Sequence, residues 1–297
     1  MKRRSFSRAL GIALACGGVI LGPVPAPAAD PARPLVIAHR GGALLMPENT
    51  FPAFDNAVRL GADVLEFDMQ MTADHRLVIS HDTSVNPTFC TADPGSGVRP
   101  GPVIRMTLAQ VLRFDCGAKH RAIYPTQKAV PGAHMPTPDA FFARYKDASV
   151  LFFGEIKMPK PADGKVDPAA FAKQVAALVR RYGLEDRFIL QSFDWHAIDA
   201  MHAIDPRIRT CLLGVWNAEA SALDLARRHH AGCVVLRARD TNAAEVKQLR
   251  DAGVEVFSDV VDDPAGWQAY LDLGVDALFT NDPAGARSFL KRHRPTP

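Results

Sequence analysis

Acidic and apolar residues alternate in the stretch VLEFDMQMT, residues 64–72. Because successive side chains of a strand point to opposite faces, Glu66 and Asp68 share one face with Val64, whereas Leu65, Phe67 and Met69 share the other. Two neighbouring carboxylates repel each other and resist burial. A hard divalent cation would compensate for them, and an all-oxygen ligand set favours Mg²⁺ or Ca²⁺ over Zn²⁺. We expect Glu155, in the stretch GEIK, to join them. Salt bridges are the alternative, most of all for Glu155, which has Lys157 two residues on.

Two histidines end apolar runs, His39 in LVIAHRG and His81 in LVISHD. A lone histidine in such a place is as readily structural. Two of them beside a metal favour acid and base roles, because imidazole changes its charge near neutral pH. Arg40 and Lys157 add positive charge, and the fork of a guanidinium matches a phosphate group. These residue types therefore predict acid–base chemistry on a bound phosphate.

The elements that must position these residues follow from the apolar pattern. From Leu35 onward, short apolar runs alternate with amphipathic stretches about eight times over roughly 250 residues, which favours a closed (β/α)8 barrel of the TIM type. A doubly wound sheet is the alternative, although no Gly-rich phosphate-binding loop follows any strand. In a barrel, the C-terminal ends of the strands share one mouth. Those ends carry His39, Arg40, Glu66, Asp68, His81, Asp82, Glu155, Lys157, Gln191 and residues 280–282.

One region, residues 83–136, interrupts this rhythm and is rich in Gly and Pro. It is too long for an ordinary connection, so we expect a small subdomain inserted after the second strand region, over one rim of the barrel. Cys90 and Cys116 flank part of it, and we expect them to form a disulfide. Cys211 and Cys233 lie in apolar strand-like runs, where we expect buried free thiols.

The first 28 residues have a basic start, an apolar run and small residues before Ala28, the order of a secretory signal peptide. Arg3 and Arg4 fit a twin-arginine signal as well as an ordinary one. We therefore expect residues 29–297 to form the mature protein, exported to the periplasm or secreted.

The apparent basicity of the chain belongs to this leader. Removing its four basic residues from the total of 35 leaves 31 against 32 acidic ones. No basic stripe interleaved with aromatic residues suggests nucleic-acid binding, and no later apolar run has membrane-spanning length. The oligomeric state is left open.

Several motifs resemble those of the glycerophosphodiester phosphodiesterase family. The resemblance runs from Leu35 to near the C-terminus. It rests on AHRGG, PENT (Pro47–Thr50), GADVLEFDMQMTADHRLVISHD (Gly61–Asp82), GEIK (Gly154–Lys157), QSF (Gln191–Phe193) and FTNDP (Phe279–Pro283). It implies a TIM-type barrel with a small inserted subdomain. It also implies metal-dependent hydrolysis of a glycerol-linked phosphodiester to glycerol 3-phosphate and an alcohol.

The resemblance also implies roles for individual residues. The metal ligands would be Glu66, Asp68 and Glu155, the acid–base pair His39 and His81, the phosphate-binding residues Arg40 and Lys157, and the supporting residues Glu48 and Asn49, with Glu48 reaching toward the metal. The chain departs from the family in VFSDVVDD, residues 256–263, where the family has a Trp-Thr-Val-Asn-like run. Phe257 would replace the aromatic wall there, and Asp259 adds an acid near the mouth. The specificity for the alcohol is therefore left open.

Two other functions fit parts of the pattern. A lysophospholipase D-like or phosphoinositide-cleaving enzyme would need a lipid-binding rim, and the aromatic residues Phe89, Phe114 and Tyr124 are scattered along the insertion. A non-catalytic binding protein for glycerophosphodiesters would not need both histidines. The sequence also leaves open whether water or the adjacent glycerol hydroxyl attacks the phosphorus.

Overall fold

The computed structural model describes residues 33–293, so the predicted leader at residues 1–28 lies outside the described part of the chain. The described strands are β1 (Leu35–Ala38), β2 (Val64–Met71), β3 (Leu77–Ile79), β4 (Thr91–Ala92), β5 (Phe114–Asp115), β6 (Leu151–Ile156), β7 (Phe188–Ser192), β8 (Arg209–Leu212), β9 (Cys233–Leu236), β10 (Glu255–Ser258) and β11 (Ala277–Thr280).

Eight of these strands close into a parallel barrel. The order around it is β1, β11, β10, β9, β8, β7, β6 and β2, and β2 returns to pair with β1. The closing contact places Ile37 beside Val64. Because the sheet has no free edge between β1 and β2, the TIM-type prediction is confirmed and the doubly wound alternative is wrong. Strand β3 lies outside the barrel order and pairs antiparallel with the end of β2.

Eight of the helices in residues 33–293 surround the barrel and follow the strands in turn, and α2 belongs to the insertion. The described helices are α1 (Phe51–Arg59), α2 (Leu108–Val111), α3 (Pro138–Tyr145), α4 (Pro168–Arg181), α5 (Trp195–Ile204), α6 (Ala222–Arg228), α7 (Ala243–Asp251), α8 (Pro264–Leu273) and α9 (Pro283–Arg292). Three begin with the same Asp-Pro pair, in which the aspartate accepts a hydrogen bond from a first-turn N–H and proline occupies the first helical position. None of the described helices is long and apolar enough to cross a bilayer.

Two apolar layers set the direction of each strand residue. The layer between barrel and helices includes Leu65, Phe67 and Met69, and the layer inside the barrel includes Val64. Glu66 and Asp68 therefore point into the barrel, as the alternation on β2 predicts. Phe257 also lies in the inner layer, 1% exposed and edge to face with Phe153, so it does not form a wall of the mouth.

The segment between β3 and α3 forms the predicted inserted subdomain. It contains the two-stranded antiparallel sheet β4–β5, the short helix α2 and an apolar cluster of its own. Phe89 and Phe114 are buried in that cluster rather than scattered on the surface. The predicted disulfide between Cys90 and Cys116 is present. The insertion thus has its own covalent and apolar support beside the barrel mouth.

The expectation of free thiols at Cys211 and Cys233 is wrong, because these residues form a disulfide inside the barrel. They are exact neighbours in the register of the adjacent parallel strands β8 and β9, and both side chains belong to the inner layer. Their Cα atoms are 4.5 Å apart, which is within bridging range. The spacing along the chain does not reveal this register, which depends on how the two strands pair.

Candidate active site at the barrel mouth

A tight turn after β1 brings two site residues together. His39, Arg40 and Gly41 form a single 3-10 turn, in which Arg40 adopts a left-handed φ of 52°. Gly41 is required there, since its φ is +81° and an added Cβ would lie 2.8 Å from the Cβ of Ala53. The turn aims the Arg40 backbone N–H at Glu66, where it donates to Oε2 at 2.7 Å.

Three carboxylates converge at the end of β2 and β6. Asp68 and Glu155 are register partners, and Glu66 lies one inward position back along β2. One oxygen from each residue lies within 4.8 Å of the others, and all three residues are buried. The predicted acidic trio is therefore brought together in space.

Polar neighbours satisfy most, but not all, of these oxygens. Glu66 Oε1 accepts from the amide of Gln191 at 2.9 Å, and Asp68 Oδ2 accepts from the amide of Asn49 at 2.8 Å. Lys157 Nζ donates to Glu155 Oε1 at 2.8 Å and lies 3.3 Å from Asp68 Oδ1. Asp68 Oδ1 is nevertheless buried with no hydrogen-bond partner.

The charges in this cluster are unequally compensated. Burial and the charge of Asp68 raise the pKa of Glu66 well above its usual value. Burial raises the pKa of Glu155 to about 7, although Lys157 opposes the change. Burial alone would also raise the pKa of Asp68, but Lys157 and Arg40 outweigh it and hold that pKa below its usual range. The protein therefore stabilises the ionised form of Asp68, but it does not stabilise the ionised forms of all three carboxylates together.

This donor set fits a hard divalent cation. Three carboxylates offer oxygens within a few ångström of one another, the ligand chemistry of Mg²⁺ and Ca²⁺. Asp68 Oδ1 accepts no hydrogen bond, and its charge partner is the Lys157 ammonium 3.3 Å away. The raised pKa values of Glu66 and Glu155 identify positive charge as what the cluster lacks.

His39 sits between an amide and a guanidinium. Its Nδ1 lies 2.7 Å from Asn281 Oδ1, and its Nε2 accepts from Arg40 Nε at 3.1 Å. The ring packs edge to face on Phe279. Burial, followed by the positive charge of Arg40, lowers the pKa of His39 well below its usual value. The neutral imidazole is the form that this environment favours.

His81 has a carboxylate partner instead. It follows β3, and its Nδ1 lies 2.8 Å from Asp82 Oδ1. Asp82 is held in turn by Asn86, whose amide donates to Oδ2 at 2.7 Å. The hydrogen bond with His81 is the main reason why the pKa of Asp82 lies below its usual range. Asp82 is thus an acceptor placed at Nδ1 of His81.

Glu48 lies between two arginines. Its Oε1 accepts from Arg40 at 3.1 Å, and its Oε2 accepts from Arg121 of the insertion at 2.6 Å. Both oxygens of Glu48 are therefore occupied by guanidinium groups. The Arg121 guanidinium also lies 4.9 Å from the centre of the Phe89 ring. The inserted subdomain thus supplies a side chain to the mouth.

The structure brings every predicted site residue to this mouth, and it adds others. Asp82, Gln191 and Asn281 lie in motifs that the sequence already singles out, but their contacts depend on the fold. Arg121 and Asp262 were missed. Arg121 lies in an irregular segment 73 residues from its partner, and Asp262 lies in the segment that departs from the family pattern. No spacing along the chain indicates either contact.

A groove with a volume of about 1250 Å³ opens beside the carboxylates. His81, Glu155, Lys157 and Phe193 are among the residues that line it. Phe193 is 57% exposed, an unusual state for a phenylalanine. Asp259 pairs with Arg237 at 3.4 Å and is not part of the groove lining. The groove has room for a substituent larger than glycerol.

Comparisons with known proteins point to one family. The model of the "Glycerophosphoryl diester phosphodiesterase family" matches residues 39–285. A glycerophosphodiester phosphodiesterase from Bacillus subtilis is 29% identical over 86% of this chain and 85% of its own length. One from Bacillus altitudinis is 47% identical over 84% and 94%. Among solved structures, a putative glycerophosphoryl diester phosphodiesterase from Silicibacter pomeroyi has a TM-score of 0.79 and 26% identity, covering 89% of this chain and 95% of that one.

Proposed function

The chain belongs to the glycerophosphoryl diester phosphodiesterase family and is an enzyme of that class, and we propose that it cleaves glycerophosphodiesters at the barrel mouth with the help of a divalent cation. The products are glycerol 3-phosphate and an alcohol. The observation that carries the proposal is the buried trio Glu66, Asp68 and Glu155, in which Asp68 Oδ1 accepts no hydrogen bond. The cation is Mg²⁺ or Ca²⁺ by the chemistry of these ligands.

The proposed mechanism divides the work among the residues of the mouth. Arg40 and Lys157 bind nonbridging oxygens of the phosphate, exchanging part of their contacts with carboxylates for contacts with substrate. A cation held by the trio would supply Lewis-acid stabilisation of the charge on those oxygens. Glu48 supports Arg40, and Asn49 supports Asp68.

We assign different roles to the two histidines. His39 has a neutral amide on one side and a guanidinium donor on the other, so it acts as the base that removes a proton from the nucleophile. His81 is paired with an ionised carboxylate that stabilises its proton, so it acts as the acid that protonates the leaving alkoxide. The nucleophile is either water or the neighbouring glycerol hydroxyl.

The test is product analysis on a panel of glycerophosphodiesters, with and without a chelator. We expect glycerol 3-phosphate as the product, activity that is lost with chelator, and recovery when Mg²⁺ or Ca²⁺ is restored. Glu66→Gln should weaken binding of the cation, so that activity requires a higher cation concentration. Glu245→Gln, which changes a carboxylate at the start of α7, serves as the matched control. Activity that is insensitive to chelator would count against the cation.

A second candidate is lysophospholipase D-like or phosphoinositide-cleaving activity at the same mouth. The observation in its favour is the groove beside His81, with Phe193 exposed in it. We rank it second because the aromatic residues of the insertion that would form a lipid-binding rim are buried. Assaying glycerophosphocholine beside lysophosphatidylcholine separates the two. Binding of glycerophosphodiesters without release of glycerol 3-phosphate would favour the third reading, a non-catalytic binding protein.

We further propose that residues 1–28 are a cleaved export signal, that residues 29–297 form the mature enzyme and that residues 83–136 are its inserted subdomain. The two disulfides support an oxidising compartment such as the periplasm or the exterior. Recovery of the natural protein from the cytoplasm with its N-terminus intact would contradict export.

A further inference from the structure

Asp262 accepts two hydrogen bonds from Asn281 and one from Thr280. Its Oδ1 accepts from the Asn281 backbone N–H at 2.6 Å and from the Thr280 hydroxyl at 3.0 Å. Its Oδ2 accepts from the Asn281 side-chain amide at 2.7 Å. The loop that carries Asp262 is itself fixed, because the N–H of Val261 donates to the carbonyl of Phe279 at 2.9 Å. Both ends of Asn281 are therefore anchored to one carboxylate.

This anchoring determines which way the amide of Asn281 faces. An ionised carboxylate only accepts hydrogen bonds, so the NH₂ group of Asn281 must point toward Asp262. The amide oxygen then points toward His39, where it lies 2.7 Å from Nδ1. An amide oxygen also only accepts, so Nδ1 of His39 must carry the hydrogen.

The other side of the imidazole leads to the same result independently. Arg40 Nε lies 3.1 Å from His39 Nε2, and a guanidinium can only donate. Nε2 must therefore hold the lone pair. Two fixed partners on opposite sides of the ring select one tautomer, with the basic nitrogen on the side of Arg40.

We propose that Asp262 is a positioning residue that selects the Nδ1–H tautomer of His39 through Asn281. This inference rests on the proposed role of His39 as the base. A base needs its lone pair on the nitrogen that meets the proton, so the wrong tautomer leaves the residue in place without its function. The carboxylate of Asp262 acts on His39 only through Asn281.

The first test reads the tautomer directly in the full-length mature protein. In ¹⁵N-histidine-labelled enzyme, nitrogen chemical shifts distinguish Nδ1–H from Nε2–H, and the His39→Ala variant identifies the signal of His39. We expect Nδ1–H in the unaltered enzyme. Finding Nε2–H would overturn the proposal, whatever any variant does. Because this readout uses no substrate, it stands even if the proposed reaction fails.

The second test changes the orienting carboxylate. In Asp262→Asn, the amide at position 262 and that of Asn281 can face either way, so we expect mixed tautomers of His39. We expect kcat to fall by about 10- to 100-fold, with a smaller change in KM. Asp259→Asn is the matched control, because Asp259 is a carboxylate of the same segment that pairs with Arg237. The control should stay within about twofold of the unaltered enzyme. Equal rates in both variants would overturn the proposal.

A rescue separates positioning from simple structural support. In the double variant Asp262→Asn with Asn281→Asp, the carboxylate faces His39 and the amide faces away, so an acceptor at Nδ1 is restored. We expect kcat to recover most of its loss. The acidic limb of the pH profile should move to higher pH, because a carboxylate stabilises the proton on His39.

The single variant Asn281→Asp, which faces two carboxylates toward each other, should not show that recovery. The other charged or titratable groups that face His39 are Arg40, Asp68 and His81, and they are unchanged in all variants. Failure of the double variant to recover, in a protein with unaltered thermal unfolding, would overturn the proposal.

Discussion

The two sides of the mouth hold their histidines by different means. On one side, which we call the barrel arm, His39 is held by Asn281 and Asp262 from the ends of β11 and β10. On the other, the insertion arm, His81 is held by Asp82. Both arms end in an aspartate, but only the barrel arm places an amide between that aspartate and the imidazole.

The amide of Asn281 keeps the carboxylate of Asp262 away from His39, while hydrogen bonds still hold the imidazole in place. Asp82 touches His81 and stabilises its proton, whereas Asp262 is one residue removed from His39 and orients it without adding charge at the ring. Arg40 on the far side of His39 disfavours its proton further. One imidazole thus lies beside a guanidinium and the other beside a carboxylate, the asymmetry on which the proposed base and acid roles depend.

The largest expected effect comes from removing either imidazole. His39→Ala and His81→Ala should each lower kcat on glycerophosphocholine by about 10³-fold, the range of general acid or base catalysis. A glycerophosphodiester whose leaving group is p-nitrophenol distinguishes the two histidine variants. That group departs without a proton, so activity should return to His81→Ala but not to His39→Ala.

The outcome with the activated substrate separates the two arms. Recovery in His39→Ala instead would exchange the roles of the arms, and near-normal rates in both variants would reject both roles. His202→Ala, which removes a ring that stacks on His230 on the outer side of α5, is the matched control. Circular dichroism and thermal unfolding check that each variant is folded.

His39 and the trio of carboxylates illustrate what a sequence can predict. The alternation on β2 depends on local geometry alone, so the inward direction of Glu66 and Asp68 could be read from the chain. The barrel followed from the regular alternation of apolar runs and amphipathic stretches. Convergence of His39 with Glu155 then followed from the general rule that strand ends share a mouth.

Other contacts could not be predicted, because they depend on register or on irregular backbone. Cys211 meets Cys233 only because β8 and β9 pair at that position. Asp262 reaches Asn281 through a loop after β10, and Arg121 reaches Glu48 from an irregular segment of the insertion. Neither loop has a period from which the direction of a side chain follows.

The second prediction tests the charge of the insertion arm. Asp82→Asn keeps the shape of the side chain but removes the carboxylate that stabilises the proton of His81. We expect kcat to fall by about 10²-fold. The loss should be smaller on the substrate with the p-nitrophenol leaving group, because that group departs without a proton from His81.

Asp93→Asn is the control for this prediction. Asp93 is also a carboxylate of the insertion, and it pairs with Arg113 away from the histidine. Asp93→Asn should leave kcat on both substrates nearly unchanged. An equal loss on both substrates in Asp82→Asn would mean that the two arms do not differ in the way proposed.

The smallest expected effect concerns Arg121, which joins the two arms. Arg121 binds Glu48, which also binds Arg40 beside His39. The positive charge of Arg121 therefore weakens the attraction between Glu48 and Arg40. In Arg121→Ala, Glu48 is left to Arg40 alone and competes with the phosphate for it. We expect KM to rise by about tenfold with little change in kcat. Arg121→Lys keeps the charge and should recover part of the loss.

The control separates this effect from looser docking of the insertion. Arg105 also belongs to the insertion, but its guanidinium binds the backbone carbonyls of Ala162 and Asp163 rather than a site residue. Arg105→Ala should therefore leave KM nearly unchanged even if it lowers thermal stability. If the two alanine variants raise KM equally, Arg121 only fastens the insertion. If Arg121→Ala alone raises KM, the insertion affects phosphate binding by Arg40 through Glu48, the carboxylate with which both arginines pair in the described part of the chain.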